Sequence, residues 1–135
     1  MAGYSGTPLA KKLGFREGHR VKTSRAPPDY DDLVTPRPDN VLISSSIRSG
    51  IDIWHYFSKS RTQLGRDLPR MRENIRQDGM IWVSWPKRAS KVPTDVTEDV
   101  VRKLALPLGL VDVKVCAVDD VWSGLKLVIR KELRT

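Results

Sequence analysis

One stretch, residues 80–99, constrains the fold of this chain more than any other. Residues 80–85 are a compact apolar run of the length of a buried strand, and Pro86 ends it. The loop that follows is basic, with Lys87, Arg88 and Lys91. Thr94 or Thr97 then provides an N-cap for a helix. This order predicts one unit of an open α/β sheet, in which ligands bind outside the carboxyl ends of the strands.

Length and composition predict one soluble domain. The chain has 135 residues, of which 39% are hydrophobic and 30% charged, as in ordinary globular proteins. No apolar run reaches the roughly 18 residues that a membrane span needs, and the first residues lack the apolar segment of a secretory signal. We therefore expect a cytoplasmic protein with no membrane partner. The single Cys116 excludes an internal disulfide and cannot alone build a cysteine-rich metal site.

The formal net charge of +8 favours anionic partners, such as nucleic acid, phosphorylated metabolites or an acidic protein. A charge of this size also serves solubility alone in a small domain. The basic residues are spread along the chain and form no run of about five or six like charges. A nucleic-acid partner is therefore possible but not favoured.

A short arm is expected to precede the main domain. Thr7 and Pro8 are typical of a helix N-cap and first helical position, and Gly14 is typical of the residue just past a helix end. We predict an N-terminal arm with a short helix over residues 1–18. A single Rossmann-like α/β domain is then expected over residues 19–135.

The loop after the first predicted strand lacks the residues of a familiar cofactor site. Residues 19–24 are typical of a short strand, which Pro27 and Pro28 prevent from continuing. A dinucleotide or adenosyl-donor fold carries a Gly-x-Gly-x-x-Gly turn at this point, whose glycines let the backbone approach phosphate or ribose. Its absence argues against ordinary Rossmann cofactor binding, and we predict no bound cofactor.

Three elements are expected before the middle of the chain. They are a short helix over residues 30–34, a small strand over residues 41–46, and a strand over residues 51–57 that is rich in β-branched and aromatic side chains. His55 lies in the last of these. Because no second histidine or cysteine stands at metal-ligand spacing, we interpret His55 as a hydrogen-bonded structural residue and predict no metal.

The clearest helix pattern covers residues 60–77. Ser60 and Gln63 form a capping box, and Asp78-Gly79 is expected to end the helix. The apolar face comprises Leu64, Leu68, Met71 and Ile75. The other faces carry Arg61, Arg66, Arg70, Arg72 and Arg76, interleaved with Asp67 and Glu73. We interpret these arginines as a solvated surface, with phosphate binding as the alternative, and we expect Pro69 to kink the helix or to delay its start.

The last part of the chain predicts a helix and a hairpin. Residues 97–108 form the helix, residues 111–118 and 125–130 alternate as strands do, and the short connection between them demands an antiparallel hairpin. The fold class is thus α/β, a Rossmann-like and mostly parallel sheet with flanking helices and a C-terminal antiparallel β-hairpin. This order resembles the C-terminal half of the class I methyltransferase architecture with a reversed edge strand.

Four stretches also resemble a family of small bacterial proteins that is defined only as a domain of unknown function. They are GYSGTPLAKKLG near the start, WPK at residues 85–87, VPTDVTEDVVR at residues 92–102, and ALPLGLVDVKVCAVDDVWSGLKLVIRK near the end. The match is weakest over residues 22–53. The resemblance implies a bacterial, soluble, stand-alone Rossmann-like domain that is similar to a truncated methyltransferase without its glycine-rich motif. It implies no catalytic residues.

A candidate site follows from the parallel arrangement. The loops after the strands that end at Ser24, Phe57 and Trp85 should emerge at the same edge of the sheet. They would gather Arg25, Ser58, Lys59, Ser60, Trp85, Lys87, Arg88 and Ser90. Free N–H groups at the starts of two helices also favour an anion there, and Trp85 could stack on a ring. We predict that these eight residues bind an anionic ligand.

Three hypotheses for function result. The first is a non-catalytic Rossmann-like module that binds an anionic small molecule or a protein partner through the loop after Trp85. The second is a divergent enzyme of the methyltransferase type that uses the same crevice. The third is a nucleic-acid-binding protein that uses the basic helix over residues 60–77. Trp122, in the hairpin turn, is expected either to anchor a partner or to fold back on the core.

Overall fold

The chain alternates strands and helices in the computed structural model, which describes residues 6–135. Residues 1–5 of the predicted arm lie outside this range. The strands are β1 (Arg20–Ser24), β2 (Leu42–Ser44), β3 (Ile51–Phe57), β4 (Ile75–Pro86), β5 (Leu110–Ala117) and β6 (Trp122–Ile129). The helices are α1 (Leu9–Leu13), α2 (Tyr30–Leu33), α3 (Arg61–Asn74) and α4 (Glu98–Ala105).

All six strands form one sheet in the order β2-β1-β3-β4-β6-β5. β1 to β4 pair in parallel, and β6 runs antiparallel to both β4 and β5. The predicted α/β fold with its C-terminal hairpin is therefore confirmed. The reversed strand is not the edge strand, however, because β6 lies between β4 and β5. β6 takes the inner position since Leu125, Leu127 and Ile129 are buried, whereas the middle of β5 is exposed.

The boundary between α3 and β4 differs from the prediction. The helix ends at Asn74, and Ile75 has extended backbone angles and pairs with Ile51 of β3. Gly79 is therefore not a helix end but a point of close backbone approach, where a Cβ would lie 2.9 Å from the carbonyl oxygen of Asp52. Pro69 lies inside α3, which starts at Arg61 all the same. The prediction was wrong at Ile75 because this residue stands four positions after Met71, as a further residue of the apolar helix face would. A strand that follows the helix directly can place an apolar residue at the same spacing.

Two apolar layers cover the sheet. One contains α3 and α4, and its fully buried members include Leu64, Leu68, Met71, Val101, Ile81 and Val83. The other contains α1 and α2, and its buried members include Leu13, Phe15, Tyr30, Val34, Phe57 and Trp82. Because neighbouring residues of a strand point to opposite faces, β3 and β4 contribute to both layers. This burial of the two central strands fixes the register on which the loops at the carboxyl edge depend.

The N-terminal segment packs directly on the sheet. Gly14 ends α1 in a left-handed conformation, with φ at 87°, as predicted. Pro8 rather than Thr7 is the residue at the N-cap position. The indole Nε1 of Trp82 donates a hydrogen bond of 2.9 Å to the carbonyl of Leu13. The division into an arm and a domain remains a prediction.

The remaining caps agree with the sequence pattern. Thr97, not Thr94, caps α4, because its hydroxyl accepts a hydrogen bond of 3.2 Å from the backbone N–H of Val100. Thr94 instead donates to the carbonyl of Lys59 at 2.8 Å. Within residues 6–135, none of the helices has the length and apolar character that crossing a membrane requires.

Candidate functional site

The order of the strands creates a crevice between β1 and β3. The chain leaves β1 toward β2 on one side of it, whereas β3 lies on the other side. The loops after Ser24 and Phe57 therefore diverge from neighbouring parallel strands. Such a switch point is where open α/β sheets bind their ligands.

A cavity of about 270 Å³ occupies this crevice. Its lining consists of Arg25, Phe57, Ser58, Lys59, Ser60, Gln63 and Trp122. Four of the eight predicted site residues thus meet at one place, namely Arg25, Ser58, Lys59 and Ser60. The cavity combines two cationic side chains, small polar groups and two aromatic walls.

Arg25 spans the crevice. Its backbone has a φ of 56°, in the left-handed region that non-glycine residues rarely adopt. Its Nε donates a hydrogen bond of 3.1 Å to the carbonyl of Phe57, and its guanidinium lies 4.5 Å from the ring centre of Tyr56. The side chain remains 45% exposed. Arg25 therefore carries a held but accessible positive charge at the switch point.

A second layer of contacts supports Arg25. The hydroxyl of Tyr56 donates a hydrogen bond of 2.6 Å to Asp67, whose carboxylate lies 4.0 Å from the Arg25 guanidinium. Burial and the bond to Asp67 raise the pKa of Tyr56. Burial acts to raise the pKa of Asp67, but the hydrogen bond from Tyr56 and the nearby guanidinium groups of Arg66 and Arg25 together lower it. Asp67 is thus an anion that orients the arginine.

The start of α3 forms the floor of the crevice, and the chain caps it internally. The hydroxyl of Ser60 accepts a hydrogen bond of 3.1 Å from the N–H of Gln63. The carboxylate of Asp95 accepts one of 2.7 Å from the N–H of Arg61. The expectation that the start of α3 offers this donor to an outside anion is therefore wrong, because Asp95 already occupies that place. Of the predicted capping box, the bond from the N–H of Gln63 to the Ser60 hydroxyl is confirmed.

Lys59 is held by its backbone rather than by its side chain. Its carbonyl accepts hydrogen bonds from the Thr94 hydroxyl at 2.8 Å and from the Asp95 N–H at 3.3 Å. The residue is exposed, and within residues 6–135 its ammonium group has no hydrogen-bond or ion-pair partner. Lys59 can therefore offer its charge at the mouth of the crevice.

The other four predicted residues lie at the end of β4 or in the loop after it, and they do not line the crevice. Trp85 is 8% exposed and packs in the layer that contains α3 and α4, so the expectation that it stacks on a ligand ring is wrong. The ammonium of Lys87 donates a hydrogen bond of 2.7 Å to the carbonyl of Asp119. The Ser90 hydroxyl donates one of 2.6 Å to the carbonyl of Lys87. Arg88 is exposed. This loop uses its polar groups mainly to hold itself against the β5–β6 turn.

The sequence did not assign Phe57, Gln63 and Trp122 to the site. Trp122 contacts Phe57 edge to face, with 5.1 Å between the ring centres. Asp119 accepts hydrogen bonds from the N–H groups of Val121 and Trp122, at 2.8 and 2.7 Å, and so folds the turn back. Of the two expectations for Trp122, folding back on the core is therefore confirmed. The sequence signal that could have indicated this position of Trp122 is the turn pattern Asp119-Asp120 just before it.

Below the crevice lies a buried polar chain. The hydroxyl of Tyr30 and Nδ1 of His55 are 2.8 Å apart, and Nε2 of His55 lies 2.8 Å from the Ser84 hydroxyl. His55 and Ser84 are fully buried. Burial lowers the pKa of His55 to about 3, so the ring is neutral. The interpretation of His55 as a structural residue is confirmed, because it joins two strands and α2 without facing solvent.

Within residues 6–135, no group of three or more His, Cys, Asp or Glu residues is placed to hold a metal ion. Cys116 is partly buried, and burial raises the pKa of its thiol against the opposing effect of Lys114 and Lys12. The residues that line the crevice offer a ligand positive charge, hydrogen-bonding groups and aromatic surface.

Solved structures with similar folds include S-adenosylmethionine-dependent methyltransferases. A methyltransferase of this type from Clostridium acetobutylicum is 6% identical over 90% of this chain and 87% of that chain, with a TM-score of 0.60. Magnesium protoporphyrin IX methyltransferase from Synechocystis, solved with bound SAH, is 8% identical over 90% of this chain and 78% of that chain, with a TM-score of 0.56. LepI, solved in complex with SAM, is 11% identical over 90% of this chain, with a TM-score of 0.55, and this chain spans only 39% of it.

No family model and no curated protein matches the chain. The similarity to solved structures, at these low identities, concerns the fold alone. The chain has a six-stranded mixed sheet with flanking helices and antiparallel C-terminal strands, which is the Rossmann-like fold of S-adenosylmethionine-dependent methyltransferases.

Proposed function

We propose that this chain is a divergent methyltransferase-like protein whose crevice between β1 and β3 binds a small anionic molecule. The likeness of fold supports the methyltransferase-like alternative more than a plain binding module. The observation that carries the proposal is the pair of accessible cations, Arg25 and Lys59, at the switch point of the sheet. The bacterial family that the sequence resembles assigns no reaction, so the proposal rests on this site.

The class of ligand follows from the walls of the crevice. A guanidinium forms paired hydrogen bonds with a carboxylate or phosphate, and an ammonium adds a point charge. Phe57 and Trp122 add aromatic surface to the same lining. A molecule that joins a carboxylate or phosphate to a small ring suits this combination. The volume of about 270 Å³ lies below the roughly 300–1,000 Å³ of pockets for larger ligands.

The usual contacts of an adenosyl donor do not fit these residues. The loop after β1 has Pro27 and Pro28 in place of glycines, and the side chain of Arg25 reaches across to Phe57. About 20 residues later, where Rossmann folds carry an acidic group for the ribose, this chain has Ser44-Ser45-Ser46. A complete donor would require Arg25 to leave its position.

Methyl transfer is nevertheless the second candidate function. One observation favours it, namely that proteins of similar fold were solved with SAM or SAH. It predicts that SAM or SAH binds at the same crevice and competes with the small anion. In that case Arg25 and Lys59 would contribute binding and orientation.

A nucleic-acid partner has less support. Of the arginines in the predicted helix over residues 60–77, Arg66 and Arg76 contact carboxylates of the chain, and Arg72 donates to a backbone carbonyl. Their charge is thus partly compensated within the protein. Arg76 also lies in β4 rather than in α3, so the basic surface is less continuous than the sequence predicts.

The proposal is tested by calorimetric titration with benzoate, inorganic phosphate, SAM and SAH. We expect the Arg25→Ala substitution to weaken the binding of benzoate or phosphate at least about tenfold, since it removes the charge-assisted contact. Arg88→Ala is the matched control, because Arg88 is an exposed arginine at the same edge of the sheet but outside the crevice. It should leave the affinity unchanged.

The outcomes separate the two candidates. Binding of benzoate that depends on Arg25 and not on Arg88 supports the main proposal. Binding of SAM or SAH in competition with benzoate supports methyl transfer. If none of the four compounds binds, or if Arg88→Ala weakens binding as much as Arg25→Ala does, the crevice between β1 and β3 is not the site.

A further inference from the structure

The outer edge of β5 is bare. β5 is the last strand on its side of the sheet, and within residues 6–135 no strand pairs with this edge. Alternate N–H and C=O groups of an edge strand face outward and can pair with another chain. Val113 and Val115 are 55% and 46% exposed. The edge therefore combines available backbone groups with exposed apolar side chains.

A bulge in β5 separates the charges of this strand onto opposite faces. The register with β6 shifts between Asp112 and Lys114. Asp112 accepts a hydrogen bond of 2.9 Å from Arg102 of α4. Lys114 donates one of 3.2 Å to the carbonyl of Lys12, which belongs to α1 on the other face. Arg102 thus neutralises Asp112 on the face that α4 covers, and the positive charge of Lys114 lies on the face that α1 covers.

A shallow groove of about 520 Å³ runs between α1 and β5 on the basic side. Its lining, which we call the β5 groove, consists of Thr7, Lys11, Lys12, Lys114, Val115, Cys116 and Ala117. Within residues 6–135, no carboxylate forms an ion pair with Lys11 or Lys114. The groove thus contains three lysines and no acidic residue.

We propose that the β5 groove binds an extended, acidic segment of a partner protein, which adds to the sheet as a further strand beside β5. Backbone pairing with the edge would provide affinity, and side-chain contacts with Val115 and the lysines would select alternating apolar and acidic residues. The proposal does not depend on the crevice between β1 and β3.

Two other occupants fit the groove less well. A second copy of this chain, paired edge to edge about a two-fold axis, would bring the lysines of both copies together, and like charges disfavour such a contact. A nucleic acid would use the lysines but neither the exposed valines nor the outward backbone groups of β5. An acidic extended peptide uses all three features.

The test is fluorescence anisotropy with the full chain and a labelled peptide of alternating glutamate and valine. We expect saturable binding, which Lys114→Glu weakens about tenfold through charge reversal. Lys103→Glu, an equal change of charge at an exposed position of α4, should leave binding unchanged. A peptide with methyl groups on alternate backbone nitrogens should not bind, because it cannot pair with the edge.

If the Lys114→Glu variant does not fold, the same question can be answered with the unaltered protein by following its backbone amide resonances. On addition of the peptide, the resonances of residues 111–117 should shift and those of α4 should not. Binding of the methylated peptide, or equal binding of a lysine–valine peptide, would overturn the proposal. So would binding of a single-stranded oligonucleotide in preference to the acidic peptide, or failure of the acidic peptide to bind.

Discussion

The loops after β3 and β4 leave neighbouring parallel strands at the same edge of the sheet, and each places a lysine within two residues of its strand. After β4, the ammonium of Lys87 is engaged with the carbonyl of Asp119. After β3, Lys59 is fixed through its own carbonyl, and its ammonium stays at the crevice. Of these two lysines, Lys59 therefore keeps its charge available to a ligand, whereas a backbone carbonyl already engages that of Lys87.

The two tryptophans near these loops give the largest expected contrast. Trp85 lies in the core below the loop after β4, and Trp122 forms a wall of the crevice. We expect Trp85→Ala to lower the free energy of unfolding by about 3–5 kcal/mol, as for large core residues. Trp122→Ala should cost less stability but weaken the binding of benzoate. Urea denaturation and calorimetry measure the two effects, and a larger stability loss for Trp122→Ala would contradict the assignment of Trp85 to the core.

The strands that carry the two loops are joined by the bond between His55 and Ser84. Burial lowers the pKa of His55 in the folded protein to about 3, below the value of about 6.5 in the unfolded chain. The unfolded state therefore binds more protons between these values. The contribution of the neutral ring is fully present above about pH 6.5 and is lost as the pH falls toward 3.

Below about pH 6, this linkage predicts a fall of roughly 1.4 kcal/mol per pH unit in the free energy of unfolding. Urea denaturation between pH 5 and 7 measures it, in a window above the titration of most carboxylates. His19→Gln, which alters the other histidine, should keep this dependence. A free energy of unfolding that does not change across this window would exclude a buried neutral His55.

Asp95 connects the two loops, since it follows the β4 loop in the chain and caps the helix that follows β3. Asp95→Ala should lower the free energy of unfolding by about 1 kcal/mol through loss of the cap. Asp29 stands at the N-cap of α2 but makes no capping hydrogen bond, so Asp29→Ala should have almost no effect. Thermal denaturation compares the two variants, and equal losses would show that the bond from Arg61 contributes nothing.

Much of this arrangement could be predicted from local patterns. Local patterns located the strands and the two longer helices of residues 6–135, and the short connection required an antiparallel hairpin. The strand ends were less accurate, since β6 begins at Trp122, which the pattern places in the turn. Helical phase alone placed Ile75 in α3 instead of β4. Strand pairing with Ile51 decides that boundary, and a partner 24 positions away in the chain leaves no local signal.

The candidate site could be predicted only in part. Parallel strands bring Arg25 and Ser58–Ser60 to one edge, which follows from chain order alone. The position of β6 beside β4 could not be derived this way, and it determines that Trp122 reaches the crevice and that Lys87 meets Asp119. Hydrogen bonds between distant loops thus decided which basic residues remain available.

The location of a bound anion tests the central claim most directly. We suggest following the backbone amide resonances of the full chain during titration with benzoate. We expect shifts at Arg25, Ser58, Lys59, Ser60 and Gln63, with little change at Arg88 and Ser90. Shifts concentrated at Lys87, Arg88 and Ser90, with none at Arg25 and Lys59, would contradict it.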